Sequence, residues 1–170
     1  MQIRPASPAD LPGLAALLVA AVADGASIGF MANLDTAAAS AFWDARLAAM
    51  ARSELHILVA DHIGTIAGTI TLAIATPPNQ PHRADVQKMI VAPAARRQGL
   101  GAALLAAVEA EARARRRTTL VLDTITNSPA ACLYARCGWT RIGEIADYAL
   151  MPDGTMAPTT IFARWLPSPA

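Results

Sequence analysis

Residues 86–105 read VQKMIVAPAARRQGLGAALL. An apolar strand of the form V-x-K-M-x-V-x-P meets a short loop, Arg96-Arg97-Gln98-Gly99-Leu100-Gly101, which opens an alanine- and leucine-rich helix. This order constrains the fold strongly, because the helix must pack on the sheet that holds the strand. It also builds a pocket of backbone N–H groups. The first N–H groups of a helix have no partner within it, and the helix dipole favours negative charge there, so such a pocket binds phosphate oxygens. The glycines let the backbone approach a ligand with no Cβ in the way. A Walker loop would need Gly-Lys-Ser/Thr at the helix start, and none is present. A dinucleotide site would need G-x-G-x-x-G, and only Gly99 and Gly101 fall in this loop. The bland alternative is a plain glycine-containing strand–helix turn.

A chain of 170 residues is long enough for one domain with a real core. Residues 1–166 are read as that domain, and 167–170 as a frayed tail. Hydrophobic residues make up 54% and charged residues 16%, which excludes a disordered chain. A net charge of +1 argues against a nucleic-acid partner. The cluster Arg113, Arg115, Arg116, Arg117 falls at the end of the helix begun at Gly99, where cations suit the dipole. The longest apolar stretch, Leu11 to Ala23, is broken by Pro12 and flanked by Asp10 and Asp24. It falls short of the roughly 20 residues a membrane span needs, so no membrane partner is expected. The N-terminus lacks a signal-peptide pattern. Cys132 and Cys137 are five apart on a predicted helix, a rise of about 7.5 Å, with diverging side chains. Neither a disulfide nor a zinc or other metal site is expected, and a reducing cytoplasm is the simplest location.

Gln2 to Pro5 reads as a first strand, and Ser7-Pro8-Ala9-Asp10 as a capped helix start. Leu11, Leu14, Leu17, Leu18 and Val22 follow at helical spacing. Residues 25–31 break that helix, and a second is predicted over about 36–52. Strands follow at about 55–61 and 65–75, joined by a tight turn near His62-Ile63-Gly64. After the loop 77–81 come the glycine-loop strand at 84–91 and its helix at 99–115. Residues 118–123 read as a strand and 128–137 as a short helix stopped by Gly138. Strands at 139–148 and 159–165 close the chain, joined by turn chemistry at Met151-Pro152-Asp153-Gly154. The order β-α-α-β-β-β-α-β-α-β-β predicts one mixed α/β sheet with helices on both faces.

Arg96-x-x-Gly99-x-Gly101 after that strand resembles the pyrophosphate loop of the GCN5-related N-acetyltransferase (GNAT) family. Asn127-Ser-Pro-Ala130-Ala-Cys-Leu133-Tyr134, followed by Gly138-Trp139, resembles the family's N-x-x-A-x-x-[LF]-Y element. The resemblance implies a mostly antiparallel sheet of six to seven strands, split in a V between its two central strands. It implies acetyl-CoA as cosubstrate, with no metal. The backbone of Met89, Ile90 and Val91 would pair with the pantetheine arm. The loop Arg97, Gln98, Gly99, Leu100, Gly101 and Ala102 would hold the pyrophosphate. Arg96 or Arg97 would add charge there or point to solvent. Asn127 would bond the pantetheine arm.

Acetyl transfer to an amine needs donor binding, a polarised carbonyl, a route for the amine proton and a proton for the departing sulfur. Tyr134 would give that last proton, since an unperturbed tyrosine is protonated at neutral pH; the alternative is a packed aromatic. Asp85 and Asp123 are the predicted bases for the amine proton, acting best through water because a carboxylate is a weak base. Asp123 reads equally well as a cap. His56, His62 and His82 read as surface or packing residues.

Within the family, the chain resembles the tabtoxin-resistance acetyltransferases. The likeness rests on residues 25–35 (GASIGFMANLD), on Arg83-Ala-Asp-Val-Gln-Lys-Met, on Leu122-Asp-Thr and on Pro152-Asp-Gly followed by Thr160-Ile-Phe. It implies that Ser27, Ile28, Phe30 and Met31 wall the acceptor pocket, and that the acceptor is a small amine, such as an amino-acid-like toxin or antibiotic. Asp85 stands where those relatives have glutamate. A peptide or protein acetyltransferase and a non-catalytic acyl-CoA-binding module are the alternatives. A homodimer is the family-based expectation.

Overall fold

A computed structural model describes residues 1–167. The tail from Ser168 on lies outside them. The element order is β1 (Gln2–Pro5), α1 (Leu11–Ala23), α2 (Thr36–Ala51), β2 (Leu55–His62), β3 (Thr65–Ile74), β4 (Arg83–Val91), α3 (Leu100–Ala114), β5 (Thr119–Ile125), α4 (Pro129–Arg136), β6 (Thr140–Leu150) and β7 (Met156–Trp165). The expected alternation is present, with strand bounds differing by at most three residues. The predicted start at Ser7 is a 3-10 turn, Pro8–Asp10, that leads into α1.

Seven strands form one sheet in the order β1-β2-β3-β4-β5-β7-β6. Only β4 and β5 run parallel; every other pair is antiparallel. Alternate residues of β2 feed two cores, as strand pleating requires. Ile57 and Val59 meet Leu14, Leu18, Val22 and Trp43 on the α1/α2 face. Leu58 and Ala60 join Leu104, Leu105, Val108, Leu120 and Phe162 on the α3/α4 face. Among the described residues no helix is long and apolar enough to cross a membrane.

Two features place the site. Strands β4 and β5 pair only at Arg83↔Thr119, Ala84↔Leu120 and Asp85↔Val121, and beyond Asp85 they part. The parting has a local cause. Between Thr71↔Gln87 and Thr69↔Ile90, two steps on β3 oppose three on β4. This is a β-bulge, with Lys88 at φ 51, and a bulge bends its strand. The V-shaped split follows from that bend.

Candidate active site

The glycine loop leaves β4 through a 3-10 turn, Pro93–Ala95. Arg97 (φ 59) and Gly99 (φ 83) are both left-handed, and α3 then begins at Leu100. None of the backbone N–H groups from Arg97 to Ala102 finds an acceptor in normal geometry among the described residues. Six N–H groups in succession without acceptors at a helix N-terminus have the chemistry of an anion cradle. Gly101 serves a second purpose: a Cβ there would come within 2.7 Å of Leu133 Cδ2, so glycine lets α3 and α4 pack closely. Gly99 is the residue whose backbone conformation requires glycine.

The two arginines behave differently. Arg96 Nη1 donates to Asp24 Oδ2 at 2.6 Å, and its Nε donates to the Val91 carbonyl at 3.3 Å. It ties the loop to the end of α1. Arg97 and Gln98 are exposed, and Gln98 Nε2 caps the Ala94 carbonyl.

Helix α4 starts where its residues dictate. Ser128 Oγ accepts from the Ala131 N–H at 3.1 Å, and Pro129 occupies the first turn. Asn127, left-handed at φ 59, closes the β5–α4 turn, and its side-chain amide makes no hydrogen bond among the described residues. The helix buries Tyr134 between Trp139 and Phe162. The phenol Oη lies 4.0 Å from Met89 Sδ, so it sits directly against the bulged part of β4. Burial, reinforced by the nearby negative charge of Asp123, pushes this phenol well above the usual tyrosine range.

Asp85 and Asp123 share the opposite face of the sheet. The register Asp85↔Val121 puts the two side chains on one side, and Asp123 follows two residues along β5. Asp123 is exposed to solvent. Asp85 accepts from Arg83 Nη1 at 2.7 Å, and Arg83 in turn donates to Gln80, so this carboxylate is already engaged.

The segment 25–35 wraps over that same face. Ser27 Oγ donates to the Leu150 carbonyl at 3.4 Å, and Ala32 N–H to the Pro152 carbonyl at 3.1 Å, joining the loop to the β6–β7 hairpin. A depression at this junction is lined by Val22, Gly25, Ala32, Met151 and Pro152. Phe30 packs edge-on against Phe42 of α2, with centroids 5.0 Å apart. The Ile28 carbonyl accepts from Lys88 Nζ at 2.7 Å, and Met31 is exposed.

Lys88 stands in the quoted motifs but carried no expected role, and Arg46 belongs to none of them. Strict alternation would send Gln87 and Lys88 to opposite faces of β4. The bulge turns both toward α2, where Gln87 Oε1 accepts from Arg46 Nη2 at 2.9 Å. Lys88 Nζ lies 5.8 Å from the centroids of both Phe30 and Phe42. Burial first, and then the charge of Arg46, depress the Lys88 ammonium, while Asp123 opposes them. No sequence signal for the bulge was available beyond Lys88 itself.

The parted strands thus leave an unpaired gap in the sheet. The anion cradle and Tyr134 lie on its α3/α4 side, and the carboxylates and the 25–35 loop lie on its α1/α2 side. A family model described as the acetyltransferase (GNAT) family matches residues 26–139. The IAA acetyltransferase of Azospirillum brasilense is 32% identical over 108 residues, which cover 63% of this chain and 67% of that one. The ribosomal-protein-alanine N-acetyltransferase of Brucella melitensis superposes with a TM-score of 0.82 at 25% identity, covering 98% of this chain and 100% of the other. The structure of yncA from Salmonella typhimurium with its cofactor acetyl-CoA superposes at 0.82 with 23% identity, covering 100% and 96%.

Proposed function

The chain belongs to the acetyltransferase (GNAT) family, and on that premise we propose that it transfers acetyl from acetyl-CoA to the amine of a small molecule by direct attack on the thioester. The observation that carries this reading is the run of six unclaimed N–H groups, Arg97 to Ala102, opening beside the unpaired edge of β4. The cradle suits a pyrophosphate, and the free edge at Met89, Ile90 and Val91 suits an extended amide-bearing arm. Asn127, with its amide uncommitted, stands at the end of β5 to bond the same arm.

Acetyl-CoA supplies the activated acetyl group when bound. A backbone N–H on the edge of β4 polarises the carbonyl. Tyr134 Oη holds a proton at the split, where the sulfur leaves. Asp123, open to solvent, receives the amine proton through water. Asp85 is less free to do so, because Arg83 occupies it.

The bridge between the 25–35 loop and the hairpin at Pro152 favours a small acceptor over an extended peptide. Ser27, Ile28, Phe30 and Met31 belong to that wall. Resemblance to the tabtoxin-resistance acetyltransferases suggests an amino-acid-like toxin or antibiotic, and with it a role in resistance. Two further elements complete the reading. The free cysteines Cys132 and Cys137 suit a reducing cytoplasm. The long outer strand β6, with Ile142, Ile145, Tyr148 and Leu150 exposed, suits pairing with a second copy.

The test is calorimetric titration with acetyl-CoA, together with an amine screen read by thiol release. Acetyl-CoA should bind, and Gly99→Asp, which sets a carboxylate in the cradle, should weaken it about tenfold or more. Unchanged affinity removes the donor site from this loop. Acetylation confined to peptides would replace the small acceptor.

A further inference from the structure

On the α1/α2 side of the gap between β4 and β5 stand two cations with no carboxylate partner among the described residues. Neither Lys88 nor Arg46 forms an ion pair among the described residues, whereas Arg83, Arg96, Arg113 and Arg115 each do. Lys88 Nζ uses one of its three donors, on the Ile28 carbonyl. Arg46 uses one Nη, on Gln87, and its Nε is buried with no partner at all. Both are only partly exposed. Both lie near the Phe42 ring, Arg46 Cζ at 5.4 Å and Lys88 Nζ at 5.8 Å from its centroid, so the fold gathers two like charges about one aromatic side chain. Holding them so is unfavourable unless something negative comes between or beside them. The negative charge that acts on Lys88 is that of Asp123, which lies beyond ion-pair distance across the cleft.

We propose that Lys88 and Arg46 form a carboxylate subsite of the acceptor pocket, so that the acceptor is an amine that also carries a carboxylate, as an amino acid does. This rests on the acetyltransferase reading above. The charges complement such a molecule end to end. Its carboxylate takes the unused donors of Lys88 and Arg46, with the Phe30 and Phe42 rings packing beside it. Its amine lies toward Asp123 and the strand split. The bulge at Lys88 is what makes this possible, because it turns a β4 cation toward α2 instead of away from it.

The experiment compares acetyl transfer to the common L-amino acids, to their carboxamides and to their decarboxylated amines. Wild type should prefer the carboxylate member of its best series by about tenfold or more in kcat/KM. In Lys88→Met and Arg46→Gln that preference should collapse, chiefly through KM, while acetyl-CoA affinity stays at the wild-type value. Equal use of acid and amide by wild type overturns the subsite and leaves the acetyltransferase standing. Failure to bind acetyl-CoA overturns the reading beneath it. If none of these amines turns over, the CoA-bound protein is titrated with N-acetyl-amino acids and with their amides, following the Lys88 ¹³Cε resonance. Binding of acids alone supports the subsite, and binding of neither, or of both equally, refutes it. Thermal denaturation of both variants separates a lost subsite from a lost fold.

Discussion

Tyr134 keeps its proton because it is buried and because Asp123 sits near it. Both effects disfavour the phenolate, so the group stays protonated throughout the neutral range and arrives at the split as an acid. Among the described residues its hydroxyl finds one hydrogen-bond partner, Met89 Sδ, a weak acceptor at 4.0 Å. Tyr134→Phe should therefore cost well under ~1 kcal/mol of stability. It should lower kcat by about 100-fold with acetyl-CoA affinity retained. Because the phenol does not titrate near neutrality, the shape of the pH–rate curve between about pH 6 and 9 should be the same in both proteins. An unaltered kcat assigns Tyr134 to packing alone. Asp123→Asn should reduce the rate about tenfold at unchanged melting temperature. A lower melting temperature with an intact rate makes that carboxylate structural. Tyr134 could be named from the resembled family element and Asp123 from its place at the end of a strand, because a family motif records which residues converge. Lys88 and Arg46 could not, because their approach depends on a bulge and on a helix some forty residues upstream.

At the scale of elements, punctuation carried most of the information. Pro8, Gly25, Pro77, Gly99 and Gly138 mark breaks that periodicity alone would blur. The start of β7 is an instructive miss. Pro158 argues against a strand there, since it cannot donate to a ladder. Yet β7 begins at Met156, because Pro158 lies opposite the β6 irregularity between Ile145 and Ala149, where no ladder bond is required. The β2–β3 turn poses the reverse case. Ile63 (φ 51) and Gly64 (φ 80) have the positive φ values of a type I′ turn, and Ile63 is 93% exposed. A β-branched residue is strained in that conformation. Ile63→Asn should raise stability by about 1 kcal/mol in urea denaturation, with acetyl-transfer rate unchanged. A loss of stability would show that the turn is held by something other than its own backbone preference.

Across the whole molecule, Arg4 binds the first strand to the body. It pairs with Asp10 and with Asp61, each at 2.8 Å, and the Ser7 N–H adds a third contact to Asp10. The Arg4 guanidinium first, and then the Ser7 N–H, hold the Asp10 carboxyl down from 3.8 to about 2. As pH falls through that window the unfolded chain takes up a proton that the folded chain still refuses, so stability is lost with acid. Asp10→Asn should be clearly destabilising at about pH 5 and nearly neutral at about pH 2, as read from denaturation midpoints. A constant difference would mean that the carboxylate charge is not what matters. The sheet's mostly antiparallel make-up and its central split were legible through the family resemblance, while the order of its strands came from the structure. The Arg4 clamp was not, because its members lie 57 residues apart in sequence at the widest.

The three-rung junction between β4 and β5 divides the sheet into a four-strand half and a three-strand half. Backbone pairing between them ends at Asp85, so this seam has fewer rungs than any other pair of neighbouring strands in the sheet. A cosubstrate arm laid along the open edge of β4 would restore the missing stitches. Binding then does mechanical duty as well as chemical: the loaded enzyme should exchange the amides of β5, β6 and β7 more slowly than the empty one, in step with the stability that ligand binding adds.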